Sequence, residues 1–378
     1  MRAELVPDAK QIHAWIETIF DRGIRRPGTP ADRWTEQFCL ERFRAFGLGS
    51  VRLEPVRLPA WEPREWSLRV DGPGGALELP CFPLPHSAPT EERDLELVAW
   101  NPDSPTDAKG KAVLEDVRLV RLPATAPAAR AARQGAGLSE AERIVDPRGT
   151  FAEATHLLPF GPRIQWVLEP ALEAGAAAWI GALVDYPGDS CEYYVPYDAE
   201  ARAIPGLWIR GSDGARLRAL LAAGPVRVRL RVDSRREEIV SHNVVGELPG
   251  ADDEWVVIGS HHDGPWASAV EDASGVALVL AQAAYWSRVP REERPHRLVF
   301  LLNAGHMAGG TGCLAFLEAH AANVERIVLE IHLEHAAREF AGRDGTPAPT
   351  GEPEVRWFFT SRIPALERAV ADALAAEE

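Results

Sequence analysis

One run constrains this chain more than any other, VVIGSHHDGPWASAVEDASGVALVLAQAA from Val256 to Ala284. Val256 to Ser260 is apolar and β-branched, too short for a helix, and predicts a buried strand. The stretch from Gly275 carries Val276, Leu278, Val279, Leu280 and alanines and predicts a helix opening near Asp272, with Asp272 and Ser274 supplying the polar atoms wanted at a helix start. Between strand and helix sit His261, His262, Asp263, Glu271 and Asp272. Ligands of open α/β sheets bind beyond the carboxyl ends of strands, so this loop is where chemistry is expected.

A chain of 378 residues exceeds one ordinary core and predicts two domains, or one with a large insertion. The net charge of -15, with arginines scattered among acids, offers no basic stripe and argues against a nucleic-acid partner. The first twenty residues read as a charged amphipathic helix rather than a signal peptide, and no apolar run approaches a membrane span, so the expectation is a cytoplasmic protein without a membrane partner. Cys39, Cys81, Cys191 and Cys313 lack paired spacing, against a disulfide framework or a four-cysteine zinc site. Seven of the eleven histidines fall between His261 and His335, which points to a site there.

Helices are expected over Lys10–Phe20 and about Ala31–Phe46, separated by the breaker RRPGTPAD. VRLEPVRLPAW and EWSLRV alternate like two edge or antiparallel strands. Dense prolines between Leu79 and Pro89 mark a boundary, giving an expected organisation of 1–88 and 234–378 as two parts of one domain around an insertion, 89–233. Within the insertion, ELVAW, KGKAVLEDV and AAWIGALV read as strands, Ala128–Arg148 as helical or loop, and Glu169–Ala178 as a helix. Its loop PGDSCEYYVPYD, with Tyr193, Tyr194 and Tyr197, reads as an exposed aromatic loop, a cover over a neighbouring pocket being the alternative. The last part supplies strands Asn243–Leu248, Arg297–Asn303 and Arg326–Glu334, with a glycine-rich turn at His306 and a helix over Leu314–Ala322. His332 and Glu334, two apart on a strand, share a face.

Histidine and carboxylate are the ligands of catalytic zinc. In HHD one histidine can bind metal through one ring nitrogen while Asp263 holds the other. Glu271 and Asp272 sit at a helix start, whose dipole favours the ionised form that metal binding needs, and Glu271 can bridge two ions. Glu334 offers a further carboxylate, with His332 or His335 in reach. Each piece has a plainer reading: His-x-Asp as a common core pair, Glu271 and Asp272 as helix-start acids, His306 as a surface residue, HLEH as a solvated edge.

Taken in order, these segments resemble the co-catalytic zinc aminopeptidases and carboxypeptidases of metallopeptidase family twenty-eight. GSHHDG is similar to that family's His-x-Asp strand end, which assigns the ligand to His261 and the orienting acid to Asp263. EDASG resembles the next segment, with Glu271 for the bridging Asp; HMAGGTG resembles the glycine-rich turn, with His306 for the general-base Glu and Met307 for a metal-binding Glu. HLEH resembles the fourth, with Glu334 for Asp. IRRPGTPAD and its helix look like the family's start, and the block from about Thr90 to Val232 looks like its protease-associated insertion. No histidine follows His335, where the family carries a late ligand, so the C-terminal part is expected to be incomplete.

The resemblance implies an α/β fold, a mixed, largely parallel sheet flanked by helices of zinc exopeptidase type, with an inserted smaller α+β or β domain. It implies one or two zinc ions and hydrolysis of an amide bond in a small peptide or aminoacyl substrate. His261 and Glu334 are then ligands to separate ions, Glu271 a bridge, Asp263 the orienting acid, His306 the base, and His332 and His335 substitute ligands. A relative that binds a peptide or partner without catalysis, and a single-metal hydrolase of a non-peptide amide, are the alternatives.

Overall fold

The computed structural model describes residues 2–103, 107–119, 121–123, 155–157, 167–343, 346–353, 360–361 and 363–376. The stretch Ala128–Arg148 lies outside the described residues. The two N-terminal helices start where capping side chains satisfy free backbone donors. The Asp8 carboxylate accepts from the Gln11 N–H at 2.8 Å to open Ala9–Phe20, and the Thr29 hydroxyl accepts from the Asp32 N–H at 3.3 Å to open Pro30–Ala45.

One sheet of eleven strands organises the molecule, and two long strands join its halves. β1 (Gly49–Gly72) is one strand, not the two expected, because the chain passes Pro63–Glu65 with a shift of register instead of a turn. β2 (Gly75–Glu78) pairs with it, and the short β3 (Cys81–Pro83) closes the far edge. β4 (Thr90–Trp100) and β5 (Ala112–Arg118) follow, then an antiparallel pair, β6 (Arg121–Pro123) and β7 (Thr155–Leu157). β8 (Ala178–Val184) and β9 (Gly206–Arg210) precede helix Gly211–Ala223, and β10 runs unbroken over Val226–Leu248. The expected boundary at 233/234 therefore falls inside a strand. The final sheet strands are β11 (Trp255–His261), β12 (Arg297–Asn303) and β13 (Ile327–His332).

The sheet order is β13-β11-β12-β10-β4-β5-β8-β9-β3, with β1 lying antiparallel along the whole of β10. β13, β11 and β12 are mutually parallel, as are β4, β5, β8 and β9; β10 is antiparallel to both β12 and β4. The segment expected to be an insertion thus adds its strands, apart from the β6–β7 pair, to the same sheet. Helices Ala9–Phe20, Pro30–Ala45 and Gly275–Arg288 cover one face of the β11 half, burying Ile19, Phe43, Val276, Leu280, Ile258 and Phe300 together. The opposite face is thinner, with Val257, Leu301 and Phe316 of helix Thr311–Ala319 at its centre.

The four cysteines are free. No helix among the described residues is long and apolar enough to cross a membrane. Beyond β13 come an antiparallel pair, β14 (Arg338–Arg343) with β15 (Thr346–Pro353), and helix Pro364–Ala376.

Candidate metal centre

β11 delivers His261 at its carboxyl end, on the face that carries Val257 and Gly259. His261 Nδ1 donates to the backbone carbonyl of Asp263 at 2.9 Å, which leaves Nε2 facing the carboxylates; burial opposes charge on the ring, but Asp263 and Glu271 raise its pKa well above the ordinary value, so a bound ion would take the place of the Nε2 proton. The residue is 1% exposed, and Nε2 has no hydrogen-bond partner. Around it stand carboxylate oxygens of Glu271 at 3.3 Å, Glu334 at 3.7 Å and Asp272 at 3.8 Å.

The orientation of His261 differs from expectation. Asp263 was expected to hold the ring through its carboxylate, but Oδ1 is 3.6 Å from Nδ1, beyond hydrogen-bond length. The carboxylate instead accepts from the backbone N–H groups of His306 at 3.1 Å and Met307 at 2.8 Å, so Asp263 ties the β12 turn to the β11 loop. Burial opposes its ionisation, but the neighbouring imidazoles overcome that and hold its carboxyl below the usual range.

Asp272 does not open a regular helix. Residues Ala269–Ser274 form an irregular turn, and the α-helix begins at Gly275, whose N–H donates to Asp272 Oδ1 at 3.0 Å. Oδ1 also accepts from the His335 N–H at 3.3 Å, and Oδ2 from the Ser260 hydroxyl. A helix-start dipole was expected to favour ionisation here; burial wins, and the Asp272 carboxyl is pushed up to about 6 despite the attraction of His261. Glu271 shows the other balance. Burial resists its charge, but the His261 imidazole beside it and the hydrogen bond from His335 hold it well below the ordinary carboxylate range.

Glu334 reaches the centre because the segment after β13 is pinned back to β11 and to the Gly275 helix. Leu333 N–H donates to the Gly259 carbonyl at 2.9 Å, and Ala336 N–H to the Ser274 hydroxyl at 2.9 Å. Burial opposes its charge as well, yet His332 at 2.7 Å holds the carboxyl down to about 2.

Around His261, two sets of ligand atoms are close enough to share one ion, His261 with Asp272 and Glu334, and His261 with Glu271 and His306. Neutral imidazole plus carboxylates is a zinc donor set, and ligands about 2.0–2.2 Å from zinc lie roughly 3.3–3.5 Å apart at tetrahedral angles. The spacings around Nε2 lie near that range, and the unpartnered nitrogen is the atom such an ion satisfies, so the residues fit the group. His261 belongs to both sets, and one of them joins it to Glu334, where separate ions were expected.

His332 and His335 belong to neither set. They were expected as substitute ligands; instead each donates to a carboxylate, His332 to Glu334 and His335 Nε2 to Glu271 Oε2 at 2.6 Å. Such partners orient ligating oxygens and raise the cost of moving them. His306 lies flat against His261, ring centroids 4.0 Å apart and planes 11° from parallel. A histidine lone pair lies in its ring plane, so the nitrogens of the two stacked rings point along nearly parallel planes. Burial, and then charge on His261, lower the His306 pKa, favouring the neutral form. Met307 turns away: it is buried with Tyr194 and Trp208 in the apolar cluster of the β8 half.

Several contributors were not legible. His262, beside His261 in sequence, has both nitrogens committed, to Asp32 at 3.0 Å and to the His242 carbonyl at 2.9 Å. With an acceptor at each nitrogen the ring is held protonated; burial opposes this, but Asp32 raises its pKa to about 9. Arg25, fully buried, donates to the carbonyls of His262, Ala267 and Ser268 and so shapes the loop between Asp263 and Glu271. Arg25 and Asp32 both come from the RRPGTPAD stretch, whose prolines and glycine signal a break but carry no pattern that reveals a long-range partner. The aromatic loop is not exposed: Tyr193 and Tyr194 are buried, and Tyr197 stacks on His306 with centroids 5.6 Å apart. From the centre an apolar cleft of about 620 Å³ runs between β11, β12 and helix Thr311–Ala319, past Val257, Leu301, Phe316, Leu317 and Ile327.

No curated protein matches the chain significantly in sequence. Among solved structures it superposes on the Peptidase M28 precursor from Shewanella amazonensis SB2B with a TM-score of 0.64 at 21% identity, covering 87% of this chain and 72% of that one. BSAP, a zinc aminopeptidase from Bacillus subtilis, gives 0.60 at 17% identity, covering 88% and 71%. The aminopeptidase from Aneurinibacillus sp. strain AM-1 gives 0.58 at 18%, again covering 88% and 71%. These likenesses show the fold, α/β with a mixed sheet flanked by helices. By sequence, residues 243–376, the segment that carries His261, Glu271, Asp272, His306 and Glu334, match the model of peptidase family M28.

Proposed function

We propose that the protein is a metal-dependent hydrolase of aminopeptidase type that cleaves the amide bond of a small peptide or aminoacyl substrate, using one zinc ion. The observation that carries this is His261 Nε2, buried, unpartnered and ringed by three carboxylates. His261, Asp272 and Glu334 would hold the ion, with Glu271 beside them. When bound, zinc supplies Lewis acidity toward a carbonyl and acidifies water.

The remaining steps belong to the protein. His306, held near neutrality by burial, accepts a proton from the attacking water and returns it to the leaving amine. Tyr197 backs its ring on one side and His261 on the other, fixing its plane. Glu271 and Glu334, both ionised, attract a protonated substrate amine to the mouth of the cleft. The apolar walls of Val257, Leu301 and Phe316 receive an apolar side chain and exclude water around the reacting bond.

A leucyl chromogenic amide assayed with zinc, and again after a chelator, tests this. Turnover that disappears with the chelator and returns with zinc supports the reading; turnover insensitive to the chelator, or none under added zinc, overturns it. Met307, packed among aromatic rings where a second metal would need a donor, favours one further reading, a relative that binds peptides without cleaving them. Peptide binding without turnover identifies that case.

A further inference from the structure

Among the described residues, Arg26 is a buried cation without a counter-ion. It is 5% exposed, its Nε has no hydrogen-bond partner, and among the described residues its side chain makes no ion pair. Its guanidinium carbon instead lies 4.8 Å from the ring centre of Trp266, 5.2 Å from Tyr194 and 5.7 Å from Phe82. Ring faces attract a cation, but they do not replace the in-plane acceptors that five N–H donors require. Buried charges are ordinarily paired. The adjacent Arg25 shows the ordinary solution, three carbonyl acceptors and the charges of Asp263, Asp272 and Asp32 nearby. For Arg26 the carboxylates exerting attraction are the exposed Glu62 and Glu192, neither within ion-pair distance.

A second observation points to the same place. Trp61 and His86, each 3% exposed, also leave a ring nitrogen without a partner, Nε1 and Nδ1. Trp61 packs on Phe82, Tyr194 and His86 with centroids 6.4, 5.8 and 5.9 Å away, so it shares two of the rings that enclose Arg26. Three unmatched polar atoms therefore border one aromatic box. The box adjoins the metal centre, because Trp266 belongs to the loop between Asp263 and Glu271, whose backbone pairs with Arg25 at 3.0 Å in both directions.

We propose that Arg26 and its aromatic box bind the carboxylate of the peptide substrate. The proposal deepens the hydrolase reading and rests on it for the peptide. A planar carboxylate matches the guanidinium edge, and apolar walls strengthen the pairing by excluding water. Two sources supply that group, the C-terminal α-carboxylate of a dipeptide and an acidic side chain next to the scissile bond. The unmatched donors are the same for both.

Calorimetry on the full chain, chelator-treated so that no turnover occurs, tests the proposal with Leu-Gly, Leu-Gly amide and Leu-Asp amide. The expected result is that Leu-Gly, Leu-Asp amide or both bind at least about tenfold more tightly than Leu-Gly amide. Arg26→Gln should abolish that preference and Arg26→Lys restore part of it. Whichever carboxylate peptide is preferred identifies the source. Equal affinity for all three peptides in the unaltered protein, or a preference that survives in Arg26→Gln, overturns the proposal. The comparison among peptides in the unaltered protein stands even where a variant fails to fold. A carboxylate preference without turnover on restoring zinc would sink the hydrolase reading and leave the anion site intact; turnover without the preference does the reverse.

Discussion

The two halves of the sheet use the ends of parallel strands in opposite ways. Beyond β11, β12 and β13 the chain gathers charge and pairs it: His261 with three carboxylates, His332 with Glu334, His335 with Glu271, His262 with Asp32. Along β8 and β9 and in the loop between them it gathers rings: Tyr193 and Trp208 with centroids 5.0 Å apart, Trp179 and Trp208 4.9 Å apart. His86, caught in that half, is kept neutral. Burial, and then Arg236 and Arg202, drive the His86 pKa down to about 3. The contrast teaches that the aromatic half is no bystander: its loop lays Tyr197 on His306, and its apolar cluster takes in Met307.

Removing His261 should break the charged half most completely. His261→Ala is expected to lower kcat/KM at least about a thousandfold, some 4 kcal/mol, with far-ultraviolet circular dichroism unchanged. Loss of secondary structure along with activity would assign His261 to folding instead.

Acid should discriminate next. A histidine held neutral in the fold but free to charge when unfolded contributes stability that is present above pH about 6.5 and is lost as pH falls toward about 3. His86 alone should then cost on the order of 3 kcal/mol by pH 4. Urea midpoints compared at pH 7 and pH 4 should show that loss, and His86→Phe should reduce it; an unchanged pH dependence in the variant would contradict neutral burial of His86.

The histidines that hold carboxylates should matter less than the ligand. His332→Ala is expected to weaken zinc about 10–100-fold, as loss of such an orienting partner does, and a chelator competition titration measures it. Smaller again, Tyr197→Leu should cost up to about tenfold in kcat, the worth of one aromatic stack, while leaving zinc affinity unchanged. An effect of Tyr197→Leu on zinc affinity would show that the two halves are coupled through the ion.

Much of this was legible because the period and the punctuation were local. The β11 strand, the polar loop and the following helix announce themselves by apolar runs and by acids at a helix start, and Glu334 and His332 by their two-residue spacing. Orientation was not legible. Whether Asp263 holds an imidazole or two backbone N–H groups depends on where the 306–307 turn lies, forty residues away and set by pairing of β12 with β11. The roles of Arg25 and Asp32 depend on docking of the N-terminal helices, whose sequence records only caps and breakers. The single strand β1 was hidden because proline inside it reads as a stop, whereas β10 carries it through by a shift of register.

The central claim is that His261 Nε2 and its carboxylates hold one zinc ion. Elemental analysis of purified protein, loaded with zinc and dialysed, tests it most directly. About one zinc per chain, falling below about one tenth in His261→Ala, is the predicted result. Below about one tenth of a zinc per chain in the unaltered protein, or full occupancy retained without His261, would contradict it.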